Sequence, residues 1–140
     1  MKDALANANE FVEKVKAVEG VTTSGGILNI GTYINDKAFM NASSKLFIQE
    51  LRLPEDFKIT DKDGNEVDYK TVLEKLDLLY RDNRIGRDDV KDLFLNVQLY
   101  RECEKPGERL SSEICKNIKS KTHALFKNHE EAAQRKAQID

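Results

Sequence analysis

Asp88-Asp89-Val90, running on to Arg101-Glu102-Cys103-Glu104-Lys105-Pro106-Gly107 and then to Ser111-Ser112-Glu113-Ile114-Cys115, decides how this chain folds. Before the proline, Val90, Phe94, Val97, Tyr100 and Arg101 recur mostly three and four residues apart. After it, Ile114, Cys115, Ile118, Leu125 and Phe126 do the same. That spacing lines each set along one face of an α-helix. Pro106-Gly107 cannot continue the first helix, and Ser111 or Ser112 can accept the free N–H groups that open the second. Two amphipathic helices joined by so short a turn pack as a hairpin. Cys103 then falls in the last turn of one helix and Cys115 in the first turn of the next. Hairpin geometry allows a disulfide there, worth about 3 kcal/mol in the chain-entropy model. Two buried free thiols are the alternative, and the residues leave both open.

Outward from the hairpin, the same period recurs. Asp68 can cap a helix whose core positions are Val72, Leu73, Leu76, Leu79 and Tyr80. Arg81 to Arg87 is a short charged connection, with Ile85 as an apolar staple onto the following helix. Asn35 or Asp36 can cap a helix over 37–51 carrying Phe39, Met40, Ala42, Leu46, Phe47 and Leu51. Asp3 to Val18 forms another, with Ala4, Leu5, Ala8, Phe11, Val12, Val15 and Val18 as its stripe and Gly20 as its stop. Val21 to Gly26 reads as a polar loop, and Ile27 to Ile30 with Tyr33-Ile34 as a short helix. Pro54 starts a helical turn, and Ile59 to Val67 reads as a loop turning at Asp63-Gly64. The last helix runs through Glu130 to Ala133 and frays near Ala137. No strictly alternating strand and no internal repeat occurs. The expected fold is all-α: one domain over 1–140, a compact bundle of about six to eight helices, with one disulfide across the C-terminal hairpin.

Composition limits the functional classes. With 39% hydrophobic and 34% charged residues, this 140-residue chain can bury a core and stay soluble. A formal net charge of −2 gives no general attraction to nucleic acid or anionic membrane, and neither is an expected partner. No apolar run approaches the ~20 residues of a membrane span. Met1-Lys2-Asp3-Ala4 has no apolar stretch of the signal-peptide kind. The chain is therefore expected to be intracellular, or to begin after a removed segment.

Several motifs invite chemistry and fail on detail. Asp61-Lys62-Asp63-Gly64-Asn65-Glu66-Val67-Asp68 copies the first half of a calcium loop of the EF-hand kind. Its later positions are wrong: Glu66 replaces the turn glycine, Asp68 the apolar residue, and Val72 the bidentate Glu. A solvated turn leading into the Asp68 cap fits better. Ser24-Gly25-Gly26, with Gly31 nearby, lacks the following Gly-Lys-Ser/Thr of a phosphate loop. His123 and His129 are six apart on one helix, the wrong spacing for a shared metal ion, so no metal ligands are expected. Lys116, Lys119, Lys121 and Lys127 share their helix with Glu113, Glu130 and Glu131 and read as a solvated face. Asn41-Ala42-Ser43 matches a glycosylation sequon inside an expected helix. No nucleophile, base and oxyanion donor can be placed together, so neither an enzyme nor a cofactor is expected.

The tyrosines and arginines say more. Tyr33, Tyr69, Tyr80 and Tyr100 each put a polar tip on an apolar body, and Arg81, Arg84, Arg87 and Arg101 cluster at or near the ends of the two helices that hold Tyr80 and Tyr100. A cavity with these hydroxyls inside and an arginine at its mouth would hold an amphipathic anion such as a fatty-acid derivative. On the residues alone, the weightier alternative is ordinary core tyrosines, with surface arginines paired to Asp77, Asp82, Asp88 and Asp89.

Tyr69-Lys70-Thr71-Val72-Leu73-Glu74-Lys75-Leu76, Leu79-Tyr80-Arg81-Asp82-Asn83-Arg84-Ile85, Val90, Cys103 and Cys115, taken in order, resemble the C-terminal domain of the mosquito salivary 30-kDa allergen family, to which aegyptin and anopheline antiplatelet protein belong. The resemblance covers nearly the whole chain. It implies a secreted, disulfide-bonded helical domain of saliva that inhibits host haemostasis, binding collagen or scavenging eicosanoids such as leukotrienes and thromboxane. The family's Gly- and acid-rich N-terminal region is missing, so this sequence reads as the helical domain after an added Met1. The resemblance carries over no individual binding residue. A monomer is expected. Two other readings stay open: an intracellular helical interaction module, and a carrier of small hydrophobic ligands like the insect odorant-binding proteins, which usually have more cysteines.

Overall fold

The structure, a computed structural model, describes residues 2–24, 32–105, 107 and 110–139. The reading of Ile27 to Ile30 as helix, the glycines at 25, 26 and 31, and Pro106 lie outside the described residues. Six helices build the bundle among the described residues: α1 (Lys2–Lys16), α2 (Asp36–Leu51), α3 (Tyr69–Glu74), α4 (Leu76–Arg81), α5 (Arg87–Glu104) and α6 (Ser112–Ile139). The expected all-α class holds. Helix α5 is the central post, packed against α1, α2 and α6.

Local chemistry explains the helix starts. Asn35 accepts the Ala38 N–H at 3.1 Å and opens α2. Asp68 accepts the Thr71 N–H at 3.1 Å and opens α3. At the start of α5, the Asp89 carboxylate accepts the Gly86 N–H at 2.8 Å. Ser111 Oγ accepts the Ile114 N–H at 3.2 Å and opens α6. Each cap satisfies a donor that the helix itself leaves free.

Three phenylalanines lock the first half of the core. Phe11 of α1 stacks on Phe94 of α5 with centroids 4.2 Å apart, and Phe47 of α2 meets Phe94 edge-on at 5.4 Å. A second aromatic group, Phe57, Tyr69, Tyr100 and Phe126, joins the segment that follows α2 to α3, α5 and α6. Cys103 and Cys115 form the disulfide, with Cα atoms 5.6 Å apart and both residues buried. Of the two alternatives for these sulfurs, the bond is the one realised.

Several expectations need correction. Tyr33-Ile34 is not helical: β2 (Thr32–Ile34) pairs antiparallel with β1 (Thr22–Ser24), drawn in part from the expected polar loop. The expected loop over 59–67 contains β3 (Ile59–Thr60) and β4 (Glu66–Val67), an antiparallel hairpin. Such strands are too short for alternation to reveal them. The helix expected after Asp68 breaks at Lys75, where φ −106° and ψ 19° leave the helical region and separate α3 from α4. Helix α1 ends at Lys16, so Val18 lies outside it. Leu5, Val18 and Ile114 were expected in apolar stripes and are exposed. The buried stripe of α1 is narrower, namely Ala4, Ala8, Phe11 and Val15.

Candidate functional site

Tyr100 and Arg101 come together at one groove. Both are near the C-terminal end of α5, and both line an open groove of about 540 Å³. The buried rings of Phe57 and Tyr100 form its floor, 5.6 Å apart and edge-to-face. Lys58, Lys105 and Lys119 share its walls with Asp56 and Glu104. A helix periodicity of 3.6 puts Arg101 and Glu104 on one flank of α5, Lys105 follows as the extended residue that ends it, and the hairpin carries Lys119 of α6 to the same groove.

Two aromatic faces hold two of these cations. The Arg101 guanidinium sits 5.4 Å above the Phe57 ring centre, and the Lys119 ammonium 5.2 Å above that of Tyr100. Cations on aromatic faces are held by the ring quadrupole while their remaining donors stay available. Arg101 Nη1 is buried and has no hydrogen-bond partner. A buried donor without a partner costs free energy unless water or a ligand satisfies it. The Tyr100 hydroxyl is engaged already: it accepts the Thr60 N–H at 3.0 Å and lies 3.3 Å from Thr60 Oγ1. Beneath them, Tyr69 is buried with an unpartnered hydroxyl. Burial pushes that phenol above its ordinary range, and the Arg101 charge partly opposes the rise.

Tyr80 and Arg84 belong elsewhere. Tyr80 donates its hydroxyl to Asp36 Oδ2 at 3.2 Å, and Arg87 Nε lies 2.9 Å from Asp36 Oδ1. One carboxylate thus fastens α2, α4 and the start of α5. That hydrogen bond holds the Tyr80 phenol protonated above its ordinary range. From Arg87 to Tyr100 the helix rises about 20 Å at ~1.5 Å per residue. A single cavity shared by Tyr80 and Tyr100 is therefore not what the fold builds. Arg84 is exposed and lies 3.5 Å from Asp82, as the surface-pairing alternative anticipates. Tyr33 is 59% exposed on β2.

The residues that the sequence reading missed are Phe57 and Lys119. Lys119 was placed on a solvated basic face, and only the fold of the hairpin shows it on Tyr100. The calcium-like loop is a closed turn: Asp61 accepts N–H groups from Asp63 and Asn65, both at 2.9 Å, and the Asn65 side-chain amide at 3.2 Å. Those bonds, the Asn65 N–H first, hold its carboxyl below the ordinary range. Among the described residues no group of three or more His, Cys, Asp or Glu side chains could hold a metal ion. No described helix is long and apolar enough to cross a membrane. The chain matches no family model, no curated protein and no solved structure.

Proposed function

We propose that this chain is a secreted salivary binding protein that blocks host haemostasis by sequestration, without turnover, taking an eicosanoid such as a leukotriene or thromboxane into the α5–α6 groove. The observation that carries the reading is the buried, unpartnered Arg101 Nη1 beside an aromatic floor. An eicosanoid carboxylate would supply the missing acceptor, and its hydrocarbon body would lie in the groove. The Cys103–Cys115 bond adds support, because disulfides persist mainly in oxidising, extracellular settings. It also counts against the intracellular module, which needs both thiols free. Collagen binding, the family's other activity, draws its support from the resemblance alone.

Calorimetric titration with leukotrienes and a thromboxane analogue tests the reading, alongside retention on a collagen-coated surface. Saturable binding of an eicosanoid that Arg101→Gln abolishes is the expected result. Silence in the titrations with retention on collagen would move the function to collagen, and silence in both would remove it.

A further inference from the structure

The groove holds four cations, and their pairing divides them sharply. Lys58 lies 3.2 Å from Glu66, and Lys105 lies 2.9 Å from Glu102. Arg101 and Lys119 make no ion pair among the described residues; each instead stands on an aromatic face. Phe57 and Tyr100 are themselves in contact, edge to face, and each carries one of these unpaired charges. A cation already matched by a carboxylate gains little from a second anion, whereas an unmatched, partly desolvated one gains a charge-assisted hydrogen bond. Asp56 and Glu104 also line the groove, and they disfavour a densely charged polyanion lying across it.

We infer that the groove recognises an amphiphile with two anionic groups, one held by Arg101 and the other by Lys119, with its apolar body in the groove. This rests on the proposed groove-binding function and adds the ligand's charge pattern and a second anchor. Lys58 and Lys105 have no part in recognition.

The test uses the intact, oxidised protein, titrated calorimetrically with saturated α,ω-dicarboxylic acids of graded chain length and with the matching monocarboxylic acids. The best dicarboxylate is expected to bind about tenfold tighter than its monocarboxylate, the worth of one charge-assisted contact. Lys119→Gln should erase that preference and leave the monocarboxylate affinity in place, while Lys119→Arg restores it. Arg101→Gln should weaken both acids. Lys58→Gln and Lys105→Gln should change neither by more than about twofold. Far-UV circular dichroism of each variant controls for folding. Equal binding of the two acids by the wild type overturns the two-anchor inference alone. So does a Lys58→Gln or Lys105→Gln effect as large as that of Lys119→Gln. If neither acid binds, the groove-binding function falls, and this inference with it.

Discussion

Each end of helix α5 brings a tyrosine together with an arginine, and the two ends are treated differently. At its start, Tyr80 and Arg87 both close on Asp36. Near its other end, Tyr100 takes a backbone N–H from Thr60, and Arg101 is left on the Phe57 ring with a buried donor unpaired. The same side chains therefore serve as a structural clasp where the fold supplies a carboxylate. They form a candidate receptor where it supplies an aromatic floor instead. Residue type alone could not separate the two.

Breaking the open end should have the largest effect on stability. Replacing both Cys103 and Cys115 with alanine should cost about 3 kcal/mol, the loop-closure value for a short loop. Urea denaturation would read it, and a cost near zero would mean the hairpin holds its end without the bond. Breaking the closed end comes next. Asp36→Ala leaves a half-buried Tyr80 hydroxyl without its acceptor and Arg87 without its partner, and should cost about 1–2 kcal/mol in the same measurement. Tyr100→Phe removes the acceptor from the Thr60 N–H and should cost about 1 kcal/mol.

Smaller effects sharpen the contrast. Half-buried His129 feels both Asp89 and Arg84, and its burial lowers its pKa from the ordinary 6.5. The unfolded chain then binds its proton more readily than the folded one. Stability from this group is present above about 6.5 and declines as pH falls through that value toward the folded pKa. His129→Gln should flatten that decline in thermal melts taken between neutral and mildly acid pH. Arg101→Gln should cost no more than about 1 kcal/mol, because it loses a cation–π contact and no ion pair. A large loss there would make Arg101 a structural residue and undo the contrast between the ends.

Much of the fold was legible because helical periodicity is carried by many residues at once. Val90, Phe94, Val97 and Tyr100 mark a face even if one position is misjudged, and all four are buried. The sulfurs were legible too, since Cys103 falls in the last turn of α5 and Cys115 in the first turn of α6. The strands were hidden: two or three residues each cannot display a period. The groove was half legible. Arg101 and Tyr100 are neighbours in sequence, so they travel together into any site. Phe57 and Lys119 reach that site from distant segments, and only tertiary packing brings them there. The expected partnership of Tyr80 with Tyr100 failed for the opposite reason. Local patterns cannot say that two helix ends lie a helix-length apart.

The central claim is that the Tyr100 end of α5, and not the Tyr80 end, receives an anionic ligand. Titrating one leukotriene into wild type, Arg101→Gln and Arg84→Gln by calorimetry tests it most directly. The account predicts saturable binding by wild type and by Arg84→Gln, and its loss in Arg101→Gln. Binding that survives Arg101→Gln and disappears in Arg84→Gln would contradict it.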